Sequence, residues 1–322
     1  MEFRPFGKTG IEVSAIGYGA WGIGQSQWIG AEDDESIRAL QRAIELGVNF
    51  IDTARAYGDG HSERLIGQVV RATPERVYVA TKVPPMNLTW PAAAGIHVDE
   101  VFPGEHIRRS TEQSLANLGV ETLDLQQLHV WQDDWIGQGD WLETIQELRD
   151  EGKIRFFGVS INDHQPDTAL RAVREELVDS VQVIFNVFDQ SPSDELFPAC
   201  LEHGVAVIVR VALDEGGLTG RITADSEFPD DDFRNHYFGG DRGREVEERV
   251  KAIAEELEIE TDDMAGAALR FVLSEPAVST VIPGMRSVRN VERNVAVADG
   301  NGLPQEQLEA LQGHRWGRNF YE

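Results

Sequence analysis

VNFIDTARAYGDGHSERLIG, residues 48–67, decides how the chain is read. Its first seven residues, VNFIDTA, form a mainly apolar run of strand length in which NFID ends on an acid, Asp52, and a glycine-bearing loop follows. Such a run without polar alternation suits a strand buried on both faces, as in a parallel sheet. Working outward, runs of the same kind appear at 75–83 (ERVYVATKV), 123–130 (LDLQQLHV), 153–161 (KIRFFGVSI), 178–186 (VDSVQVIFN), 204–212 (GVAVIVRVA) and 277–284 (AVSTVIPG). An earlier run, EVSAIGYGA at 12–20, makes eight.

Helical patterns lie between them. DESIRALQRAIELG (34–47) places Ile37, Leu40, Ala43 and Ile44 on one stripe and stops at Gly47. EHIRRSTEQSLANLG (105–119) and WLETIQELRDEG (141–152) also end on glycine, and 165–177, 244–257 and 287–298 have the same character. Strands alternating with helices predict an α/β fold with a parallel sheet, either a closed (β/α)8 TIM barrel or an open doubly wound sheet. Length does not force a second domain, because α/β barrels often exceed about 250 residues; residues 1–322 are read as one. Long loops at 83–104, 131–138 and 212–242 follow strand-like runs, which in a barrel puts them on the C-terminal face. The opening EFRPFGKTGIEVS reads as a hairpin turning at Lys8-Thr9-Gly10 and plugging the opposite end.

Composition narrows function. The formal net charge is −27, which disfavours a general nucleic-acid or anionic-membrane partner. No apolar run reaches the roughly 18–20 residues of a membrane span, and the N-terminus lacks the apolar core of a secretory signal. The lone cysteine, Cys200, excludes an internal disulfide and a cysteine-built zinc site. Together these predict a cytoplasmic protein without a metal centre. Arginine-rich basic residues fit a GC-rich genome with a solvated acidic surface, or a salt-rich cytoplasm in which screening relieves self-repulsion.

Two short motifs mislead. Gly17-Tyr-Gly19-Ala-Trp-Gly22 matches a dinucleotide fingerprint, but no helical pattern follows at once, so it reads as a glycine-rich loop. Tyr78-Val-Ala-Thr-Lys82 matches a pair that acts on a helix, where i and i+4 are about 5–6 Å apart. On a strand the same spacing is roughly 13 Å.

Polar residues at the strand ends carry the chemistry. Asp52, Lys82 and His129 each end an apolar run, and Tyr57 follows Asp52 in the loop. On spacing alone, a structural Asp–Lys pair at the barrel rim remains open. NFIDTARAYGDGHSERLIG, VATK, LQQLHVW, FFGVSIND and VIPGMRSVRNVERN, in that order over nearly the whole chain, resemble the aldo-keto reductases. The resemblance implies a (β/α)8 barrel that binds a nicotinamide cofactor without a Rossmann domain or a metal. It implies catalytic roles for Asp52, Tyr57, Lys82 and His129 in reducing a small-molecule carbonyl. Tyr57 would give the proton, with Lys82 lowering a phenol pKa that is ordinarily about 10. Asp52 would hold Lys82 charged, and His129 would position the carbonyl oxygen.

By the same resemblance Ser160, Asn162 and Gln182 contact the carboxamide, with Ile161 inserted between the first two. Leu213, Asp214, Gly217, Leu218 and Gly220 wrap the pyrophosphate. Gly284, Arg286, Asn290 and Asn294 align with the adenosine-ribose phosphate site. Arginine suits a 2′-phosphate because its fork binds bidentately, which favours NADP(H), with NAD the alternative. Arg210 departs from the family pattern, standing where many members stack an aromatic on the nicotinamide.

Trp21, Trp90, Trp131 and Trp135 are placed in the loops of the substrate face, the first three lining the pocket. His61, His97 and His106 lack metal-ligand spacing. The segment after residue 304 is read as short, leaving a small substrate loop and a tolerant pocket. Two other readings stand beside carbonyl reduction: a regulatory, cofactor-sensing subunit of the same family, and a barrel lyase using Lys82 as a Schiff-base nucleophile.

The charge reading is testable. If the acidic surface is an adaptation to salt, the thermal midpoint rises between 0.1 M and 1 M KCl, where the screening length falls from about 10 Å to about 3 Å. A midpoint that does not rise leaves the solvated-surface explanation.

Overall fold

The alternation becomes a parallel sheet that curls into a barrel. The computed structural model describes residues 1–322. Its strands are β1 (Phe3–Pro5), β2 (Glu12–Ser14), β3 (Tyr18–Gly19), β4 (Phe50–Asp52), β5 (Tyr78–Val83), β6 (Leu123–Leu128), β7 (Ile154–Ser160), β8 (Ser180–Ile184), β9 (Ala206–Arg210) and β10 (Val278–Val281). The helices are α1 (Asp33–Glu45), α2 (His61–Ala72), α3 (Gly104–Leu118), α4 (Trp141–Asp150), α5 (Leu170–Arg174), α6 (Leu196–His203), α7 (Arg234–Tyr237), α8 (Arg242–Glu256), α9 (Met264–Leu273), α10 (Val288–Val295) and α11 (Gln305–Gln312).

Strands β3 to β10 pair in sequence order, every pairing parallel. The two edges meet through parallel bridges, Ile16 with Val281 and Gly19 with Gly284, which close the (β/α)8 barrel. Gly17 N donates to Val281 O at 2.8 Å across that seam. Any Cβ on Gly19 would collide with the Ile282 carbonyl, so this glycine serves strand closure. Helix α1 begins only at Asp33, well beyond the 17–22 glycines, so no helix N-terminus meets them.

Two expectations need correction. The run 12–20 is not one strand: Glu12–Ser14 pairs antiparallel with Phe3–Pro5, and only Tyr18–Gly19 joins the barrel. A bend at Ala15–Gly17 divides them, which apolar content alone does not reveal. The segment read as a loop through His61–Gly67 contains the start of α2, whose buried face includes Leu65, Ile66 and Val69.

The hairpin closes the N-terminal end of the barrel. Phe6, fully buried, packs with Phe50, Ala80, Leu125 and Ile208, inward-facing residues from four strands. Its ring centroid lies 5.5 Å from that of Phe50. Outside the sheet, helices lay apolar stripes on the strands; α1 buries Ala39, Leu40, Ala43 and Ile44, with Ile37 half-buried. Gly119 ends α3 at φ 65, a left-handed turn that glycine adopts without a Cβ clash. No helix is long and apolar enough to cross a membrane.

With its base sealed by the hairpin, the barrel is open to ligands only at the C-terminal face. Phe6→Ala should therefore destabilise the protein by about 3–5 kcal/mol through the cavity it leaves. Chemical denaturation would show this as a lower midpoint with cofactor-independent loss.

Candidate active site

Lys82 is where the fold confronts its largest electrostatic cost. It points into the barrel from β5, fully buried. Its Nζ donates to Asp52 Oδ2 at 2.5 Å, to the Thr53 carbonyl at 2.8 Å and to Tyr57 Oη at 3.4 Å. Those three bonds use every N–H of an ammonium. Asp52, ending β4, is buried too; its other oxygen accepts from Gln182 Nε2 at 2.7 Å and Gln127 Nε2 at 3.3 Å. Burial lowers the Lys82 pKa and the Asp52 carboxylate opposes that shift.

Tyr57 sits in the turn after β4, its N–H bonded to Ala54 O at 3.0 Å. Gly24 makes room for it: a Cβ there would lie 2.9 Å from the Tyr57 Cβ. The hydroxyl opens on the cavity but is otherwise ringed by protein. Burial, then the Asp52 carboxylate, push it well above the usual phenol range, with Arg210 pulling back. The phenol therefore keeps its proton throughout the neutral range.

His129 follows β6 and continues its ladder, donating from N to Val83 O at 3.0 Å. Burial first, then Lys82 and Arg210, push its pKa well below the ordinary value, so the ring is neutral. Nδ1 is sealed from solvent without a partner. An orphaned buried N–H is rarer than an unpaired acceptor, which favours the tautomer with hydrogen on Nε2. Tyr57 and Trp90 meet the ring edge-on, at centroid distances of 5.7 and 5.8 Å.

Above these groups lies a cavity of about 810 Å³, within the range of small-molecule sites. Asp52, Tyr57 and His129 are at its floor; Lys82 stands behind them and does not line it. Ser160, Asn162, Gln182, Arg210 and Leu213 line it, as do Gly284, Arg286, Asn290 and Asn294. Gln182 gives its amide N–H to Asp52, which leaves its carbonyl oxygen as an acceptor. Arg210 Nη2 donates to Ile161 O at 3.0 Å and Asp163 Oδ1 at 2.7 Å, while its Nε is buried without a partner. Arg286 Nη1 donates to Ile29 O at 3.0 Å, with its guanidinium over Trp28.

Other expected positions fall elsewhere. Trp131 is fully buried in an aromatic cluster with Trp135 and Trp141, its Nε1 donating to Asp133 at 3.0 Å, so it does not line the pocket. Asp214 points away from the cavity to Tyr237 Oη, at 2.8 Å, and to Arg318. Gly217 and Leu218 are buried, and Gly220 packs on Thr261; none of the three lines the cavity. Trp21 does line it, packed against Tyr57, Trp28 and Phe233. The histidines outside the site have local partners, such as His106 Nε2 at 2.7 Å from Pro84 O.

Several lining residues were missed. Gln127, which supports Asp52 without lining the cavity, was legible as a polar residue on a buried strand. Glu215, Asp163, Phe233 and Tyr321 come from loops and the tail, and Arg234 from the start of the short α7, where no periodicity marks them. The segment after 304 is not a bystander: it returns to the cavity, and Tyr321 Oη donates to Glu215 Oε1 at 2.6 Å.

The residues fit a nicotinamide dinucleotide. The cavity runs from the Tyr57–His129 floor to a rim bearing Arg221, Arg286 and Arg293, cations gathered on a chain of net charge −27. Comparison with known proteins agrees. The model of the Aldo/keto reductase family matches residues 15–315. Aldo-keto reductase YhdN of Bacillus subtilis (strain 168) is 31% identical over 303 residues, covering 91% of this chain and 87% of that protein. The NADH-specific methylglyoxal reductase of Escherichia coli (strain K12) is 28% identical, covering 97% of this chain and all of its own. The holo form of aldo-keto reductase AKR11C1 from Bacillus halodurans superposes over the full length of both chains, with a TM-score of 0.76 and 26% identity.

The buried pair makes a prediction that does not depend on catalysis. Lys82→Met strands the Asp52 carboxylate and should cost about 3–5 kcal/mol of stability. Adding Asp52→Asn, whose carbonyl still accepts from Gln182, should recover most of it. Denaturant titration of the single and double variants reads the coupling, and additive losses would contradict a direct pair.

Proposed function

The chain belongs to the aldo/keto reductase family of oxidoreductases, and on that premise we propose that it reduces aldehydes or ketones to alcohols with NADPH, Tyr57 donating the proton. The observation that carries this reading is the Lys82–Tyr57 contact of 3.4 Å beneath a cavity of about 810 Å³ whose lining includes Tyr57, His129, Arg286 and Asn290. A reduced nicotinamide bound there supplies hydride to the carbonyl carbon.

The chain's residues do the rest. Tyr57 and the Nε2–H of His129 face the same space, so both hydrogen-bond a carbonyl oxygen lodged between them. The neutral imidazole polarises that oxygen without competing for its proton. As negative charge develops on the oxygen, Tyr57 releases its proton to it. The resulting phenolate is stabilised by the Lys82 ammonium, which already points an N–H at Oη. Asp52 keeps that ammonium charged and is held in turn by two glutamine amides. Trp21 and Trp90 wall the space and restrict water. The positive rim supports the NADPH preference, with Arg286 as the 2′-phosphate ligand and Asn290 and Asn294 beside it. The E. coli relative is named for NADH, so binding of both cofactors is to be measured. The Schiff-base alternative is disfavoured, because Lys82 has no free N–H and does not line the cavity.

Tyr57→Phe tests the mechanism. NADPH binding, followed by fluorescence, should be retained, while turnover with a carbonyl substrate falls about 10²–10⁴-fold. Unchanged turnover would sink the proton-donor role. Arg286→Ala should weaken NADPH and leave NADH unaffected; equal losses would remove the 2′-phosphate assignment.

A further inference from the structure

Glu215 is a carboxyl group on the cavity wall that the mechanism leaves unused. Of the other acids there, Asp52 is paired with Lys82, Asp163 with Arg210, and Asp262 is exposed to solvent. Glu215 is buried, has no cation within ion-pair distance, and takes one hydrogen bond, from Tyr321 to Oε1. No protein group holds Oε2, and that oxygen is not sealed off from the cavity. The backbone is bent to produce this. Asp214 and Glu215 both have φ 52 and Gly216 has φ 104. The turn sends adjacent acids to opposite sides, Asp214 outward to Arg318 and Glu215 inward. Left-handed conformations at non-glycine residues cost of order 1–3 kcal/mol each, and they persist where surrounding structure holds them.

We propose that Glu215 is a cofactor-binding residue that works as a neutral acid: the arriving dinucleotide draws one proton from solvent onto Oε2, which then donates to an oxygen of the bound phosphate-bearing ligand. This rests on the reading of the cavity as a dinucleotide site. An ionised carboxylate only accepts hydrogen bonds and repels a phosphate; a protonated carboxyl has a donor to offer. The groups facing Glu215 set the balance. Arg210 from β9 and the Tyr321 hydroxyl favour the charged form, while Asp214 and Asp163 oppose it. Arg318, Tyr237 and His164 reach it through Asp214. Burial dominates and raises the carboxyl to about 7, so the free protein is poised between the two forms in the neutral range. Added phosphate charge favours the acid further.

The test is calorimetric titration of the full-length protein with NADPH at pH 6 and pH 8, in buffers of differing ionisation enthalpy. Uptake should approach one proton at pH 8 and vanish near pH 6, with Kd about tenfold weaker at the higher pH. Glu215→Gln, which carries a permanent donor, should abolish both effects; the 2′-phosphate of NADPH contributes equally to both proteins and cancels in their difference. Tyr321→Phe removes the bond that favours the charged form and should move the pH dependence upward. Proton uptake that survives Glu215→Gln, or its absence in the unmodified protein while NADPH still binds, overturns the proposal and spares the dinucleotide reading. Failure to bind NADPH or NADH at either pH overturns both.

Discussion

A single ammonium group organises this barrel. Lys82 is buried without access to water, and an uncompensated charge there would cost several kcal/mol. Everything around it supplies compensation: the Asp52 carboxylate, the Thr53 carbonyl and the Tyr57 hydroxyl take its three hydrogens. Asp52 needs its own partners, and Gln127 and Gln182 provide them from two further strands. The β5–β6 register puts Gln127 opposite Lys82. A polar layer therefore crosses the end of an otherwise apolar barrel. It is closed below by the hairpin around Phe6 and open above to the cavity. Electrostatic satisfaction and chemical competence share the same bonds, since the donor that completes the lysine's set also lies against the tyrosine.

Much of this was legible because parallel strands write themselves plainly. Runs such as VYVATKV are apolar on both faces, and polar residues at their ends stand out against that background. Asp52, Lys82 and His129 were visible in this way, Tyr57 by its place in the loop after Asp52, and their catalytic roles only through likeness to a known family. The eighth strand was harder to read. Residues 12–20 read as one mainly apolar run, yet the bend between Ser14 and Tyr18 assigns the first half to a hairpin and the second to the barrel. Apolarity marks burial, and both halves are buried.

Loops gave the least. Trp131 and Trp90 look alike in sequence, each a tryptophan in a segment at the open face. Trp131 buries its ring among two other indoles while Trp90 stays half in solvent beside His129. The difference lies in neighbours distant along the chain. The tail shows the same limit more strongly. Its role at the site depends on Arg318 reaching Asp214 and Tyr321 reaching Glu215, contacts across about a hundred residues that no periodicity encodes.

Those two contacts explain how the loop after β9 keeps its conformation. Val211, Asp214 and Glu215 all have positive φ, which an isolated loop of these residue types would abandon. The tail grips both acids, one from each side of the turn, and Phe233 stacks on Tyr321 at 5.9 Å to hold the tail itself. The grip is asymmetric. Asp214 meets a guanidinium and a phenol in a buried cluster, where burial raises its pKa and Arg318 opposes the shift. Glu215 meets only a phenol, which leaves its charge free to change. A loop anchored through one acid and adjustable through its neighbour can remain folded while the cavity beside it goes from empty to carrying phosphate. An arginine in place of Tyr321 would fix the charge of Glu215 and remove that freedom; the phenol holds the side chain in place without deciding its protonation.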